Sequence, residues 1–371
     1  MNDNVVIITA GILLIIDFVV LYWFKRHQHN SGLKYHRVSE KEEFDLSITQ
    51  ISNLSGQTSA VCLSPNRVIF TSKDGKVGIY KNKNYQVIYD VKEKVKDFDD
   101  GIEGGLMCVA VSKILPSEVC LCYTIKNGEK GQTLIVNRYE FDGETLIFDK
   151  ELFKQDYPTK IHHAGTIAFN SQGGLYLSTG DGGPQGDPEG HAQNLKSYRG
   201  KILRLSDKSE PEIIAFGLRN PWKFSIDPTD RMFVADVGYS TVESIYLITD
   251  LFPEKPYNCG WNQYEGSTKY VDNPNIKFED TLPPIFEYKT DSEGKETPGR
   301  CVIGGYYIDR FDLYIFGDYV SGYVYALQEQ DKKWIQVSRV KTPDDNHIYS
   351  LALIENTVWV LGTKGIYSVD I

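Results

Sequence analysis

The sequence predicts an all-β fold, a six-bladed β-propeller, preceded by one N-terminal transmembrane helix. Three observations lead there. From residue 59 onward one unit recurs: an apolar strand, a turn, a second strand ending in small or polar residues, another turn and a third strand. Beyond residue 24 no long segment carries helical periodicity. Residues 5–24 form one uninterrupted apolar stretch apart from Asp17.

The repeats set the propeller. Cys62-Leu63-Ser64-Pro65 leads to VIFTSKDGKVGIY, and residues 104–148 hold a degenerate copy with strands near MCVAV, VCLCYTI and LIVNRYEF. Thr166-Ile167-Ala168-Phe169 leads to LYLSTGDGG and then GKILRL, and Lys223-Phe224-Ser225-Ile226 to MFVADVG and ESIYLI. Gly305-Tyr306-Tyr307-Ile308 leads to LYIFGDYVSGYVYAL, and Ser350-Leu351-Ala352-Leu353 to VWVLGTKGIYSVD. Units of about four strands repeated in this way build a propeller. The strand-like piece Phe44 to Ile51 has no unit of its own. Paired with the last unit it closes the ring and removes an exposed edge.

The segment Val5 to Phe24 is long enough, as a helix, to cross a bilayer core. Tyr22 and Trp23 sit at its end as interfacial aromatics do, followed by Lys25 and Arg26. Asp3 before the run and KRHQH after it favour an uncleaved anchor over a cleaved signal peptide. The expected domains are an anchor over 1–24, a polar linker over 25–42 and the propeller over 43–371. Two signals disagree on orientation. The basic flank favours a cytoplasmic propeller, whereas the cysteines and the sequon Asn53-Leu54-Ser55 suit an extracytoplasmic one.

The chain has 371 residues and a net charge of −10, with no strongly basic block beyond the flank of the apolar run. Nucleic acid as main partner is thereby disfavoured. The six cysteines, Cys62, Cys108, Cys120, Cys122, Cys259 and Cys301, form no paired CxxC, which argues against zinc. Cys120 and Cys122 share one face of a strand. Cys259 with Cys301 is the best candidate disulfide, weighed against six buried thiols.

Special residues concentrate between His162 and Trp261. His162-His163-Ala164-Gly165 precedes a strand, Gly180-Asp181-Gly182-Gly183 ends the next, and Gly217-Leu218-Arg219-Asn220-Pro221-Trp222 precedes a third. In a propeller such loops converge on the central channel. A His removes a proton near neutral pH, an Asp orients it and an Arg stabilises developing negative charge. Each has a plainer reading alone, since Gly-Asp-Gly is commonly a turn. Their recurrence at equivalent places in consecutive repeats is what singles them out.

The stretch HHAGTIAFNSQGGLYLSTGDGGPQGDPEGHAQNLKSYRGKILRL resembles the glucose/sorbosone dehydrogenase family of soluble quinoproteins. The likeness continues through IIAFGLRNPWKFSIDP, MFVADVGYSTVESI, YNCGWNQYEG and VIGGYYI with LYIFGDYVSGYVYAL, a piece similar also to Hedgehog-interacting protein-like propellers. The resemblance implies oxidation of a sugar hydroxyl with pyrroloquinoline quinone (PQQ) and calcium held on the propeller face. It implies His162 as general base, Asp181 as its orienting partner and Arg219 against the cofactor, with Asn220 beside it. Glu103, in Ile102-Glu103-Gly104-Gly105-Leu106, matches the family's Gln or Glu. Gly238 and Tyr239 match positions that offer backbone carbonyls to the calcium. His163, next to the base, is expected to point away from the site, and loss of the His162 side chain to leave folding intact.

The sequence also departs from the family. The family's Arg in H-x-G-G-R-L is Thr166 here. Where the family holds the cofactor's carboxylates with Lys and Arg, this chain has Tyr319 and His347-Ile348-Tyr349. A tricarboxylate needs cationic partners, so two functions stand side by side. One is a membrane-anchored PQQ-dependent sugar or alcohol dehydrogenase. The other is an inactive propeller that binds a protein or glycan.

Overall fold

The computed structural model describes residues 44–81, 84–272, 276–290, 300–343 and 345–371. The anchor expected over 5–24 and the linker over 25–42 lie outside the described residues. No helix among the described residues is long and apolar enough to cross a membrane.

Among the described residues six blades follow one another along the chain, each an antiparallel sheet that begins with its innermost strand. The exceptions are a short parallel fifth strand, Tyr257–Asn258, in the third and an outer strand from the N-terminal side in the sixth. Blade I runs from Gln57–Ser64 to Asn84–Asp90, blade II from Leu106–Val111 to Leu146–Tyr157, and blade III from Ala164–Phe169 to Glu212–Phe216. Blade IV begins with Lys223–Ile226, blade V with Val302–Ile308 and blade VI with Ile348–Ile354. The six first strands pack on one another in a closed ring. The degenerate second unit is a full blade whose last strand reaches Tyr157, beyond the expected limit at 148.

The strand patterns follow from position in the ring. Second strands are covered by neighbouring blades on both faces, and Leu175–Thr179, Met232–Asp236 and Leu313–Asp318 are buried throughout. Hence their short continuous apolar runs. Outer strands such as Asn84–Asp90 and Lys333–Lys341 face solvent and carry polar residues.

Blade VI closes the ring as the sequence predicts. Ser47–Ser52 pairs antiparallel with Gly365–Asp370, Ser47 opposite Asp370. The strand itself is largely exposed. Its seat is Leu46, 4% exposed in the core between blades V and VI.

The expected Cys259–Cys301 disulfide is not formed, and all six cysteines are free thiols. Cys259 lies in the core of blades III and IV, whereas Cys301 packs where blade V begins. Cys120 and Cys122 do share one face, in the core between blades II and III.

Buried carboxyl groups join successive blades. Glu243 of blade IV accepts the Val302 N–H of blade V at 3.1 Å and the Gly238 N–H at 3.2 Å. Its Oε1 has no hydrogen-bond partner among the described residues. Burial pushes its pKa up to about 8. Asp318 accepts the backbone N–H groups of Arg300 and Cys301, and the Tyr288 hydroxyl.

Two outcomes follow from these contacts. A chain lacking residues 44–52 should expose the Gly365–Asp370 edge, self-associate and melt lower. Sedimentation showing a monomer with an unchanged Tm would refute closure by this strand. Glu243 is an acid whose folded pKa is raised, so its contribution is fully present below its unfolded pKa and is lost as pH rises to about 8. The Tm of Glu243→Gln minus that of wild type should therefore grow from pH 5 to 8 and then level off. A difference constant across that range would show that Glu243 does not titrate in this way.

Candidate active site

A cavity of about 460 Å³ opens on the face where the first strands begin. Every blade contributes to it: Thr58 and Lys73 from blade I, Met107 from II, His162 from the lead into III, Trp222 and Lys223 from IV, Ile303 from V and Tyr349 from VI. Lys223 forms the floor. Its Nζ donates to the carbonyls of Thr58 at 3.0 Å and Met107 at 3.1 Å, and burial lowers its pKa. It also lines a second cavity of about 360 Å³ toward the opposite end of the channel.

The structure brings His162, Asp181 and Arg219 together. His162 Nδ1 lies 2.6 Å from Asp181 Oδ1. Asp181 is wholly buried and also accepts the Gly183 N–H at 2.9 Å and the Trp261 indole N–H at 2.9 Å. Arg219 Nη2 sits 3.0 Å from His162 Nε2. An arginine only donates, so Nε2 is the acceptor and Nδ1 carries the proton given to Asp181. The imidazole thus turns a lone pair toward the cavity, with a buried carboxylate behind it to stabilise positive charge on the ring.

Backbone geometry holds this pair in place. His162 and Ala164 both have positive φ, 56° and 55°, a conformation costly for non-glycine residues and retained where surrounding contacts enforce it. The His162 carbonyl accepts the Gly182 N–H at 3.2 Å, and the Arg219 carbonyl accepts the Asp181 N–H at 2.7 Å. A Cβ on Gly180 would fall 2.1 Å from the His162 carbonyl oxygen, so that crossing requires glycine. From the other side Glu103 Oε2 accepts the His162 N–H at 2.6 Å, and burial raises the Glu103 pKa. Glu103 therefore reaches the cavity chiefly as a support for the histidine backbone.

Arg219 is fixed at three points. Beyond His162, it donates to the Val237 carbonyl at 2.9 Å and to Gln185 Oε1 at 2.7 Å. Asp236, its pKa raised by burial to about 7, accepts the N–H groups of Arg219 and Asn220. The Asn220 side chain turns back to accept the Ala164 N–H at 3.2 Å while still lining the cavity.

Gly238 and Tyr239 lie in the loop below Arg219 and line the cavity. Glu265 Oε1 gathers four successive N–H groups of that loop, Tyr239 to Val242, at 2.7–3.2 Å. A Cβ on Gly238 would lie 1.8 Å from the Val242 carbonyl, so this tight loop needs glycine there. Among the described residues no hydrogen bond ends on the carbonyls of Gly238 or Tyr239. No group of three or more His, Cys, Asp or Glu side chains among them is placed to hold a metal. A cation here would depend on backbone and ligand oxygens.

The substituted family positions have structural roles. Thr166 Oγ1 donates to the Trp222 carbonyl at 2.8 Å, tying blade III to blade IV. Tyr319 stacks on His347 with centroids 4.8 Å apart and lines the cavity beside Tyr349. The wall where the family's cations are expected is thus aromatic, as the sequence implies. Cations nevertheless enter from other places: Lys73, Lys223, Arg219 and Arg300 all line the cavity, against the one carboxylate of Glu103.

His163 points away from the cavity as expected. Its Nε2 meets the Thr159 carbonyl at 3.2 Å and its ring packs edge-on against Tyr157. It is fully buried, and burial lowers its pKa to about 4. His162 is only 2% exposed, so the expectation that its side chain carries little packing does not hold. The sequence reading missed Gln185, Trp261, Asp236 and Glu265. Trp261 stood in the quoted YNCGWNQYEG, but nothing local shows that its indole reaches a carboxylate 80 residues away.

The glucose/sorbosone dehydrogenase family model matches residues 57–291, more than half of the chain. The HIPL2 protein of Arabidopsis thaliana is 32% identical over 245 residues, 55% of this chain and 33% of that protein. The HIPL1 protein of the same plant is 34% identical over 219 residues, 48% and 30% respectively. The matched part thus spans about a third of those curated relatives. Among solved structures, the apo soluble aldose sugar dehydrogenase of Escherichia coli superposes with a TM-score of 0.69 at 17% identity, covering 88% of this chain and 99% of that one. The PQQ-bound aldose sugar dehydrogenase of Streptomyces coelicolor gives 0.66 at 17% identity, with the same two coverages. At that identity the structural likeness shows the propeller. The family model, which covers the segment carrying His162, Asp181 and Arg219, shows the kinship: the chain belongs to the glucose/sorbosone dehydrogenase family.

Proposed function

We propose that the protein is a membrane-anchored, PQQ-dependent dehydrogenase that oxidises a CH–OH group of a sugar or related alcohol. What supports this most directly is the buried His162–Asp181 pair, with Nε2 turned into an electropositive cavity. The residues present suit an anionic planar quinone: four cationic side chains line the space, and Trp222, Tyr239, Tyr319 and Tyr349 supply aromatic surfaces. When bound, the quinone supplies the hydride acceptor, with calcium polarising it. Asn220, Arg219 and Glu103 border that space. The Gly238 and Tyr239 carbonyls are the protein oxygens available to calcium.

The chain's own part is proton transfer and positioning. His162 takes the substrate hydroxyl proton at Nε2, and Asp181 stabilises the imidazolium that results. For the hydroxyl to reach Nε2, Arg219 must yield its hydrogen bond there while Val237 and Gln185 keep the guanidinium in the wall. From that place it offers positive charge to oxygen as negative charge develops.

The second reading, a propeller that binds a protein or glycan without turnover, is favoured by one observation. The Tyr319–His347 stack and Tyr349 fill the wall where the family clamps its cofactor.

Protein reconstituted with PQQ and calcium and assayed by dye reduction over a panel of aldoses should turn over, and do so more slowly without calcium. His162→Gln should lower kcat about 10²- to 10⁴-fold. His163→Ala should lower Tm yet leave turnover per folded molecule within a few-fold. Equal losses of turnover in both variants would remove His162 as the base. No turnover with any sugar would leave the binding propeller.

The anchor belongs to the same proposal, through the apolar run Val5 to Phe24 and the basic flank after it. Full-length protein should stay in the membrane pellet after carbonate extraction. A shortened soluble product would contradict an uncleaved anchor.

A further inference from the structure

We propose that Lys73 and Arg300 form a relocated cationic clamp for the carboxylates of the planar polycarboxylate quinone. This rests on the quinone-dependent reading above and adds the residues that recognise the cofactor's charge. The first support is charge. A chain of net charge −10 lines this cavity with four basic side chains and one acidic one. A cavity of that sign concentrates anions.

The second support is which of those cations are free to act. Arg219 is held by His162, Val237 and Gln185. Lys223 is held by two carbonyls on the channel floor, and its burial disfavours the charged form. Lys73 and Arg300 differ. Among the described residues the Lys73 ammonium meets only the carbonyl of Ile102, a residue 66% exposed. Arg300 is anchored through its backbone N–H on Asp318 Oδ2 at 3.0 Å, and its side chain is exposed at the cavity rim. Neither has a carboxylate partner among the described residues.

The third support is placement. Lys73 follows the second strand of blade I, and Arg300 leads into blade V. These blades flank blade VI, so the two cations stand on either side of the Tyr319–Tyr349 wall. That wall lies across the ring from blade III, which His162 precedes. An anionic ring system held in this cavity could meet cations from two different blades while bordering the tyrosines and His162, which line the same space. Two charge-assisted contacts of this kind fix orientation as well as affinity.

The test is binding rather than turnover. Purified full-length protein in detergent is titrated with PQQ in calcium buffer, following quenching of tryptophan emission, to which Trp222 in the cavity wall contributes. Lys73→Ala and Arg300→Ala should each raise Kd about tenfold or more, that is about 1.4 kcal/mol, with Tm unchanged. Lys73→Arg should restore most of the affinity. The trimethyl ester of PQQ, which lacks the carboxylates, should bind weakly and equally to wild type and variants. Variants that bind PQQ as tightly as wild type would overturn the clamp while leaving the quinone reading intact. A wild type that binds neither compound would overturn that reading, and the clamp with it.

Discussion

The site depends on one buried carboxylate. Asp181 is fully removed from water, and a lone ionised carboxylate there would be prohibitively expensive. Three donors converge on it: the His162 ring, the Gly183 amide and the Trp261 indole. Those donors come from the lead into blade III, the turn after its second strand, and the long excursion before the last strand of blade IV. Satisfying one charge therefore fixes the imidazole's tautomer, the turn and the excursion together. Its own N–H on the Arg219 carbonyl adds the arginine segment to the same knot.

The same device serves ordinary structure elsewhere in the ring. Asp236 ends the second strand of blade IV and gathers the N–H groups of Arg219 and Asn220, the segment entering that blade. Asp318 ends the second strand of blade V and gathers those of Arg300 and Cys301. In each case an acid at the end of a second strand captures the incoming crossover. Blade III differs in that its acid captures an imidazole, so a repeated structural feature becomes a charge partner for a group facing the cavity. This explains how a catalytic-type pair can sit in a propeller without distorting its repeat.

Much of this was legible in the sequence because periodicity and punctuation carry it. The second strands read as short apolar runs because both their faces are covered. The spare strand before blade I was legible because a ring has one unpaired edge to fill. His162 and Arg219 stood out as special residues leading into consecutive units, and Asp181 as the acid of the turn that ends the second strand after His162. Pairings made at long range were not legible. Glu265 collects four amides of a loop more than twenty residues earlier, and no local pattern distinguishes it from a surface acid. Cys259 and Cys301 looked pairable as an even remainder, yet the ring assigns them to different inter-blade cores. Lys73 escaped notice because it lies in the blade least like the family. Arg300 escaped because charge on a connecting segment normally faces solvent.

The cavity is therefore asymmetric, and the asymmetry bears on what can bind. Toward blades III and IV it presents the imidazole, the guanidinium and a loop with two open carbonyls. Toward blades V and VI it presents tyrosines. A ligand that satisfied only the first side would leave the aromatic wall wet, and one that only stacked would leave the cations unmatched. A flat anion with a reducible edge satisfies both at once. A neutral glycan satisfies the aromatic side but brings no negative charge to Lys73 and Arg300. The polarity of the whole space thus adds to the buried His162–Asp181 pair as a ground for the proposed dehydrogenase over the passive propeller.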